Sequence, residues 1–189
     1  MRITPSKPTI RVRHGPYYLA PFDNLMASVV ATWARDASEL FWLAPKTPPP
    51  LTAAKVVAWP GPQGSPMLFY RESESEPLGY FEINPMPGEK LHLWLGHCVV
   101  RPEERGAGLG RRMTTLMLEE VFCHRDAQRV SLVVFPDNIF AIACYRAVGF
   151  LDGATQIKYF KTSGRQHRMF QMSIDRRRYE SITQPPVSK

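Results

Sequence analysis

The chain has 189 residues, enough for one domain of ordinary size, whereas two independent domains would each be undersized. Hydrophobic residues make up 44% and charged residues 22%, which excludes a disordered or collagen-like chain. No stretch reaches the roughly 18 apolar residues of a membrane-spanning helix, and the first residues lack the apolar run of a signal peptide. We therefore expect a single domain over residues 1–189, located in the cytoplasm and without membrane contact.

Cysteines and histidines give no pattern typical of a disulfide or metal protein. The three cysteines, Cys98, Cys123 and Cys144, are odd in number and form no C-x-x-C pair. The five histidines form no H-E-x-x-H motif and share no zinc-finger spacing with the cysteines. We expect reduced thiols and no metal site.

The positive charge is concentrated at the C-terminus. The net charge is +7, and residues 161–189 contribute seven Lys or Arg against two acids. Residues 175–189 are therefore predicted to be a basic tail, either a solvated surface or a segment that contacts nucleic acid, ribosomes or an anionic ligand. The solvated surface is favoured, and nucleic-acid binding is not expected.

Residues 1–65 are predicted to be mainly helical. A short strand at Ile10–Val12 comes first, and apolar residues then recur at helical spacing in Phe22–Trp33, Ala37–Trp42 and Leu51–Trp59. Proline clusters at residues 45–50 and 60–66 indicate loops.

Residues 66–174 are predicted to alternate strands and helices. Three runs indicate an antiparallel meander: Met67–Arg71, Leu78–Ile83 and Leu91–Val100. An amphipathic helix over Leu109–Phe122 and a buried strand over Val130–Phe135 follow. A helix capped by Asp137 or Asn138 runs to about Val148, and a hairpin of Gln156–Phe160 with Met169–Ile174 ends the domain. The order indicates an α+β fold with one β-α-β unit.

The strand before the amphipathic helix runs into a glycine-rich turn, residues 99–112. Glycines let an anion approach the backbone, and the unpaired N–H groups of a helix N-terminus then point at it. No Lys-Ser/Thr pair follows, so the turn is not a Walker loop, and Arg111 stands where a dinucleotide loop needs its third glycine. A glycine turn that only lets the helix begin is the alternative for this loop taken alone.

Two motifs together resemble the GNAT N-acetyltransferase superfamily. The first is Arg105-x-x-Gly108-x-Gly110, which is similar to its acyl-CoA pyrophosphate loop, and the second begins at Asn138 and continues through Ala141, Tyr145 and Gly149-Phe150. The resemblance covers roughly residues 78–174 and implies a mixed, mostly antiparallel sheet that opens into a V between two central strands. Residues 1–65 would form the acceptor side.

The same resemblance implies acetyl-CoA as cofactor, CoA as product and an amine as acceptor. Val99 and Val100 would bind the pantetheine arm through their backbone, and Asn138 would help to hold the cofactor. The pyrophosphate would be surrounded by the remaining cofactor-binding positions, which are Arg105, Gly106, Ala107, Gly108, Leu109, Gly110 and Arg111. Tyr145 would lie near the cofactor sulfur and act as general acid.

Acyl transfer from a thioester to an amine needs deprotonation of the amine, support for the developing oxyanion and protonation of the leaving thiolate. Glu82 and His97, with His92 as a further possibility, are the candidate bases, and water can replace any of them. Each of these residues, like Tyr145, has an alternative role as an ordinary structural or surface residue. Cys98 is disfavoured as a nucleophile because the sequence shows no activating partner.

The acceptor is predicted to be a low-pKa amine. Deprotonating a lysine side chain at pH 7 costs about 4.6 kcal/mol of free energy, whereas deprotonating an α-amine costs about 1.4 kcal/mol. This favours small amines or peptide N-termini over lysine side chains. The alternative function is an acyl-CoA sensor without transfer, or a ribosome- or nucleic-acid-associated module, and the protein is a candidate homodimer.

Overall fold

The computed structural model describes residues 9–183, in which eight strands form one sheet. The strands are β1 (Val12–His14), β2 (Tyr17–Pro21), β3 (Ser65–Arg71), β4 (Gly79–Pro85), β5 (His92–Val100), β6 (Arg129–Val134), β7 (Leu151–Phe160) and β8 (Arg165–Asp175). Their order across the sheet is β1-β2-β3-β4-β5-β6-β8-β7, and each pair is antiparallel except β5 with β6. The predicted meander, terminal hairpin and α+β fold class are confirmed.

Helices cover both faces of this sheet. They are α1 (Ala27–Val30), α2 (Ala37–Leu43), α3 (Ala53–Val57), α4 (Leu109–Cys123), α5 (Ile139–Ala147) and α6 (Arg176–Thr183). Successive residues of a strand point to opposite faces, and β3 shows this directly. Its Met67 and Phe69 join the core formed with α4 and α5, whereas Leu68 and Tyr70 join the core formed with α1 and α3.

Helix α4 connects the two parallel strands, as the sequence predicts. The apolar positions at helical spacing, among them Met113, Met117 and Val121, are buried against the sheet. Gly108 precedes the helix in a left-handed conformation, with φ of 76°. The β5-α4-β6 unit therefore places the glycine turn at the end of β5.

The N-terminal region contains more strand than the sequence pattern indicates. Residues Tyr17–Pro21 form β2, which pairs with β3 from Tyr17–Arg71 to Pro21–Met67, and the predicted helix over Phe22–Trp33 shortens to one turn of 3-10 helix followed by α1. The sequence pattern missed β2 because its partner strand lies about 50 residues along the chain. A short apolar run does not show by itself whether it forms a strand or a helix.

The predicted basic tail is also partly wrong, because α6 forms from its first residues. Arg176 donates to the carbonyl oxygens of Phe122, at 2.6 Å, and Ala127, at 3.1 Å, while Arg178 donates to Gly149 O at 2.6 Å. Tyr179 stacks on the Phe122 ring at 4.7 Å. These arginines close the end of the core, and residues 184–189 lie outside the described part.

Candidate functional site

The two parallel strands separate beyond their first three residues. β5 and β6 pair only from His92–Arg129 to Trp94–Ser131, yet β5 continues to Val100 and β6 to Val134. At the closed end, His92 Nε2 lies 2.8 Å from Ser131 Oγ, and His92 Nδ1 lies 2.8 Å from a carboxylate oxygen of Glu89. The strands thus form a V, as predicted, and His92 is a structural residue at its base, away from its opening.

A bulge in β5 lies on the wall of this V. Tyr80 faces Val99 and Glu82 faces Gly96, so β5 has one residue more than β4 over this stretch. His97 lies in the bulge with φ of 48°, an uncommon conformation for a residue with a side chain. Bulges turn a side chain away from the regular alternation, and this one places His97 beside Glu82.

The glycine turn is open to solvent at the mouth of the V. Gly106 and Gly108 have φ of 83° and 76°, and a Cβ atom added to either would meet no heavy atom within 4 Å. The first backbone hydrogen bond of α4 is donated by Arg112, so the N–H groups of Leu109, Gly110 and Arg111 have no partner among residues 9–183. A cradle with free N–H groups, open space and the positive end of a 15-residue helix suits a phosphate group.

Arg105 makes other contacts than the sequence motif suggests. Its guanidinium donates to Val100 O at 2.9 Å, to Trp33 O at 2.7 Å and to Glu39 Oε1 at 3.0 Å. The side chain therefore connects the glycine turn to α2 and to the end of α1. The Arg105 backbone N–H also has a partner, Pro102 O at 3.3 Å, so in this structure neither the guanidinium nor the N–H of Arg105 is free to bind a phosphate.

Asn138 caps the helix that faces the glycine turn. Its side-chain oxygen accepts from the Ala141 N–H at 3.3 Å and begins α5. Gly110 of α4 lies against this helix, since a Cβ atom there would be 3.5 Å from Cys144 Sγ. The small residue allows α4 and α5 to approach closely, so Asn138 and the turn flank the same opening.

Tyr145, about two helical turns after Asn138 on α5, lies near the β5 bulge, beside Cys98. Burial raises the pKa of its phenol well above the usual value, and the neighbouring thiols of Cys98 and Cys144 raise it further. Burial likewise raises the pKa of Cys98 to about 12, although the Tyr145 hydroxyl acts in the opposite direction. Cys98 is therefore a neutral thiol at physiological pH, a poor nucleophile, and Tyr145 is a protonated phenol.

Glu82 and His97 come together in an aromatic setting. Glu82 is 2% exposed, its Oε1 accepts from the Tyr80 hydroxyl at 2.7 Å, and His97 Nδ1 lies 2.9 Å from the same oxygen without being aligned for a hydrogen bond. The His97 ring stacks on Trp59 with centroids 4.6 Å apart. The sequence indicated Glu82 and His97 as separate candidates. It gave no sign of Tyr80, because a buried tyrosine in a strand resembles any core residue.

Two further properties concern cofactors and membranes. Within residues 9–183, no group of three or more His, Cys, Asp or Glu side chains is arranged to hold a metal ion. In the same range, no helix combines the length and the apolar character that a bilayer span requires.

A sheet opened between two parallel strands, with a glycine turn at the mouth of the opening, is the arrangement that the resemblance of the two motifs implies. The chain matches the acetyltransferase (GNAT) family over residues 32–150, more than half of its length, and it belongs to that family.

Relatives of known name agree with this assignment. Mycothiol acetyltransferase from Paenarthrobacter aurescens is 30% identical over 112 residues, which are 58% of this chain and about a third (34%) of that protein. The spermidine N-acetyltransferase of Vibrio cholerae, solved with CoA and spermine, superposes with a TM-score of 0.73 at 14% identity, covering 87% of this chain and 98% of its own. The ribosomal-protein-S5-alanine acetyltransferase of Vibrio fischeri gives 0.67 at 15% identity over 88% and 97%. At these identities the two structures show the shared fold.

Proposed function

We propose that this protein transfers the acetyl group of acetyl-CoA to a primary amine by direct attack when both substrates are bound. The observation that supports it most is the V between β5 and β6, which has the glycine cradle at its mouth and has Tyr145 and the Glu82–His97 pair near its walls. The acceptor would approach from the side of residues 1–65. The cytoplasmic location and the homodimer stay predictions.

The residues present fit acetyl-CoA. The free N–H groups of Leu109, Gly110 and Arg111 would hold its pyrophosphate with the cradle of Gly106, Ala107 and Gly108. The edge of β5 that β6 leaves unpaired would hold its extended arm near Val99 and Val100, where Val100 O already accepts from Arg105. Asn138 would contact it from α5. When bound, acetyl-CoA supplies an activated acyl group on sulfur.

The chain's own residues would manage the protons. His97 would accept the proton of the attacking amine, and the Glu82 carboxylate 2.9 Å away would stabilise the imidazolium that results. The bulged stretch of β5 has backbone N–H groups that can stabilise negative charge on the reacting oxygen. Tyr145, protonated at neutral pH, would donate its proton to the leaving sulfur.

The test is release of free thiol from acetyl-CoA with a panel of primary amines, followed by mass spectrometry of the products. Amine-dependent thiol release with an acetylated product supports the transferase. Tight CoA binding with no product from any amine would instead support the alternative, an acyl-CoA sensor. The role of the C-terminal segment as a nucleic-acid module has less support, because Arg176 and Arg178 bind carbonyl oxygens of the core.

The base is tested by His97→Gln. The loss of a general base is worth about 10²- to 10⁴-fold, so we expect turnover to fall at least tenfold and the acidic limb of the pH profile of kcat/KM to disappear. His124→Gln, at an exposed position, is the matched control. An unchanged acidic limb in the His97 variant would assign deprotonation to water.

A further inference from the structure

A second concave surface lies beside the proposed transfer site. It has a volume of about 470 Å³ and lies between α2, the residues that follow β6 and the turn between β7 and β8. We call it the aromatic groove; the lining residues used here are Phe41, Trp42, Thr47, Phe135, Asp137 and His167. A volume of this size is typical of small-molecule sites.

Aromatic rings form the walls of the groove. The Phe41 ring centroid lies 5.1 Å from that of Phe135 and 4.6 Å from that of His167, in tilted arrangements. Trp42 is 39% exposed, so part of its large apolar ring is left in contact with solvent. Phe135 is only 5% exposed, so the surfaces that a further ring can contact by offset or edge packing are those of Trp42 and the partly buried Phe41.

A chain of side-chain contacts connects the groove with the residues proposed to receive the amine proton. Thr47 lines the groove, and its Oγ1 accepts from Trp59 Nε1 at 2.8 Å. Trp59 in turn stacks on His97, which lies beside Glu82. On the other wall, Phe135 directly follows β6 at the open end of the V. The Trp59 ring therefore lies between Thr47 of the groove and His97.

The charge of the groove limits how many positive charges an acceptor bound there can carry. Among its lining residues, Asp137 supplies a carboxylate and none is a lysine or arginine. The Asp137 side chain makes no ion pair and no hydrogen bond within residues 9–183. One carboxylate matches one ammonium group, whereas a polyamine with three or four positive charges would leave most of them against aromatic walls.

We propose that the acceptor is an aromatic primary amine with a single positive charge, its ring in the aromatic groove and its amine directed to His97. This inference rests on the proposed transferase function and names the substrate class of the same site. The ring would pack against Phe41 and Trp42. Asp137 would attract the ammonium group at the rim as the substrate enters, and the amine would then extend past Trp59 toward His97. An N-terminal phenylalanine of a peptide presents the same chemistry as a small arylalkyl amine.

The experiment compares kcat/KM for phenethylamine, phenylalaninamide, a Phe-led tetrapeptide, ethanolamine and spermidine. We expect phenethylamine to exceed both ethanolamine and spermidine at least tenfold, since an apolar pocket discriminates about 10- to 200-fold for small apolar groups. Trp42→Ala is expected to reduce the ratio of phenethylamine to ethanolamine about tenfold. Leu25→Ala, an exposed apolar position outside the groove, is the matched control and keeps the parental ratio.

Each outcome has one meaning. Faster turnover of the tetrapeptide than of the small aromatic amines identifies a peptide source and still supports the aromatic acceptor. Spermidine or ethanolamine used as well as phenethylamine, with no effect of Trp42→Ala, overturns it. Should no amine be acetylated, the transferase proposal fails; saturation-transfer NMR with phenethylamine then decides separately, because binding that Trp42→Ala abolishes supports the groove and absence of binding overturns it.

Discussion

The hydroxyl of Tyr145 is in the state that a proton donor requires. Burial and the adjacent thiols of Cys98 and Cys144 raise the pKa of the phenol, so it stays protonated throughout the neutral range. A thiolate that leaves in an apolar cleft lacks the water that would stabilise it, and a nearby neutral phenol can protonate it. The same burial removes Cys98 as a competing nucleophile, because its own pKa is raised to about 12.

Tyr145→Phe removes one oxygen and leaves the ring packed 5.7 Å from Phe150. We expect turnover to fall at least tenfold while CoA affinity changes little, because general acid catalysis is worth about 10²- to 10⁴-fold and part of the thiolate leaves unassisted. Turnover is measured per folded molecule, with CoA affinity from calorimetry. Parental turnover across the pH range would exclude Tyr145 as the acid.

At the scale of the elements, the glycine turn depends on backbone and not on side chains. Both Gly106 and Gly108 have a left-handed conformation that costs an L-residue of the order of 1 kcal/mol, and both face open space. A substitution in the turn is therefore expected to cost little folding stability but to impair anion binding. Such a variant can test whether the turn binds a phosphate, because α4 can still form.

Gly108→Glu places a carboxylate where the phosphate is proposed to bind. We expect loss of CoA binding with a largely unchanged circular dichroism spectrum, because like charges repel and the added Cβ atom meets no heavy atom within 4 Å. Gly88→Glu is the matched control, since Gly88 has φ of 79° and the same open space in the turn between β4 and β5. If the folded Gly108 variant binds CoA like the control, the turn is not part of the site.

Glu39 connects α2 with the glycine turn. Burial would raise the pKa of this carboxyl, but hydrogen bonds from Arg35 and Arg105 outweigh it and lower the pKa to about 2. A carboxyl with a lowered pKa stabilises the folded state fully above its unfolded pKa, near 4.5, and loses that contribution as the pH falls toward 2.

Glu39→Gln is expected to lower the free energy of unfolding at pH 7 by about 1.5 to 3 kcal/mol, the range for hydrogen bonds to charged groups. The difference in unfolding free energy between variant and parent should shrink to less than half by pH 3. This pH lies between the unfolded and folded pKa values of Glu39, where the stabilisation from its carboxylate is partly lost. Urea unfolding at both pH values measures this, with Glu103→Gln, exposed and without an ion pair in the described range, as control. A difference that is constant with pH would contradict the assignment.

At the scale of the whole molecule, α6 completes the core between α4 and the C-terminal end of α5. Arg176 and Arg178 satisfy carbonyl oxygens at the end of α4, in the loop after it and at Gly149. Each of these oxygens would otherwise lack a partner at a poorly solvated edge. Much of the charge at the C-terminus thus serves stability.

Arg176→Ala is expected to cost about 1 to 3 kcal/mol of stability, because it removes two charge-assisted hydrogen bonds to carbonyl oxygens. Arg177→Ala, at the exposed neighbouring position with the same loss of charge, should cost less than about 0.5 kcal/mol. Thermal or urea unfolding of the two variants decides between a packed helix and a solvated basic segment. Equal effects would indicate that only the charge matters.

The local sequence determined the central elements and the cofactor side of the candidate site. The meander, α4 and α5 carry their periodicity within 5 to 15 residues, and the glycine spacing and Asn138 act through backbone geometry at helix ends, so neither needs a distant partner. Only the tertiary structure decided β2 and α6, whose partners lie far along the chain. It also decided that Arg105 binds Glu39, that the β5 bulge places His97 beside Glu82, and that Phe41 and Phe135 share one groove. Such pairs join residues 15 to about 100 positions apart, and their proximity comes from strand register and helix packing, which no local pattern of residues contains.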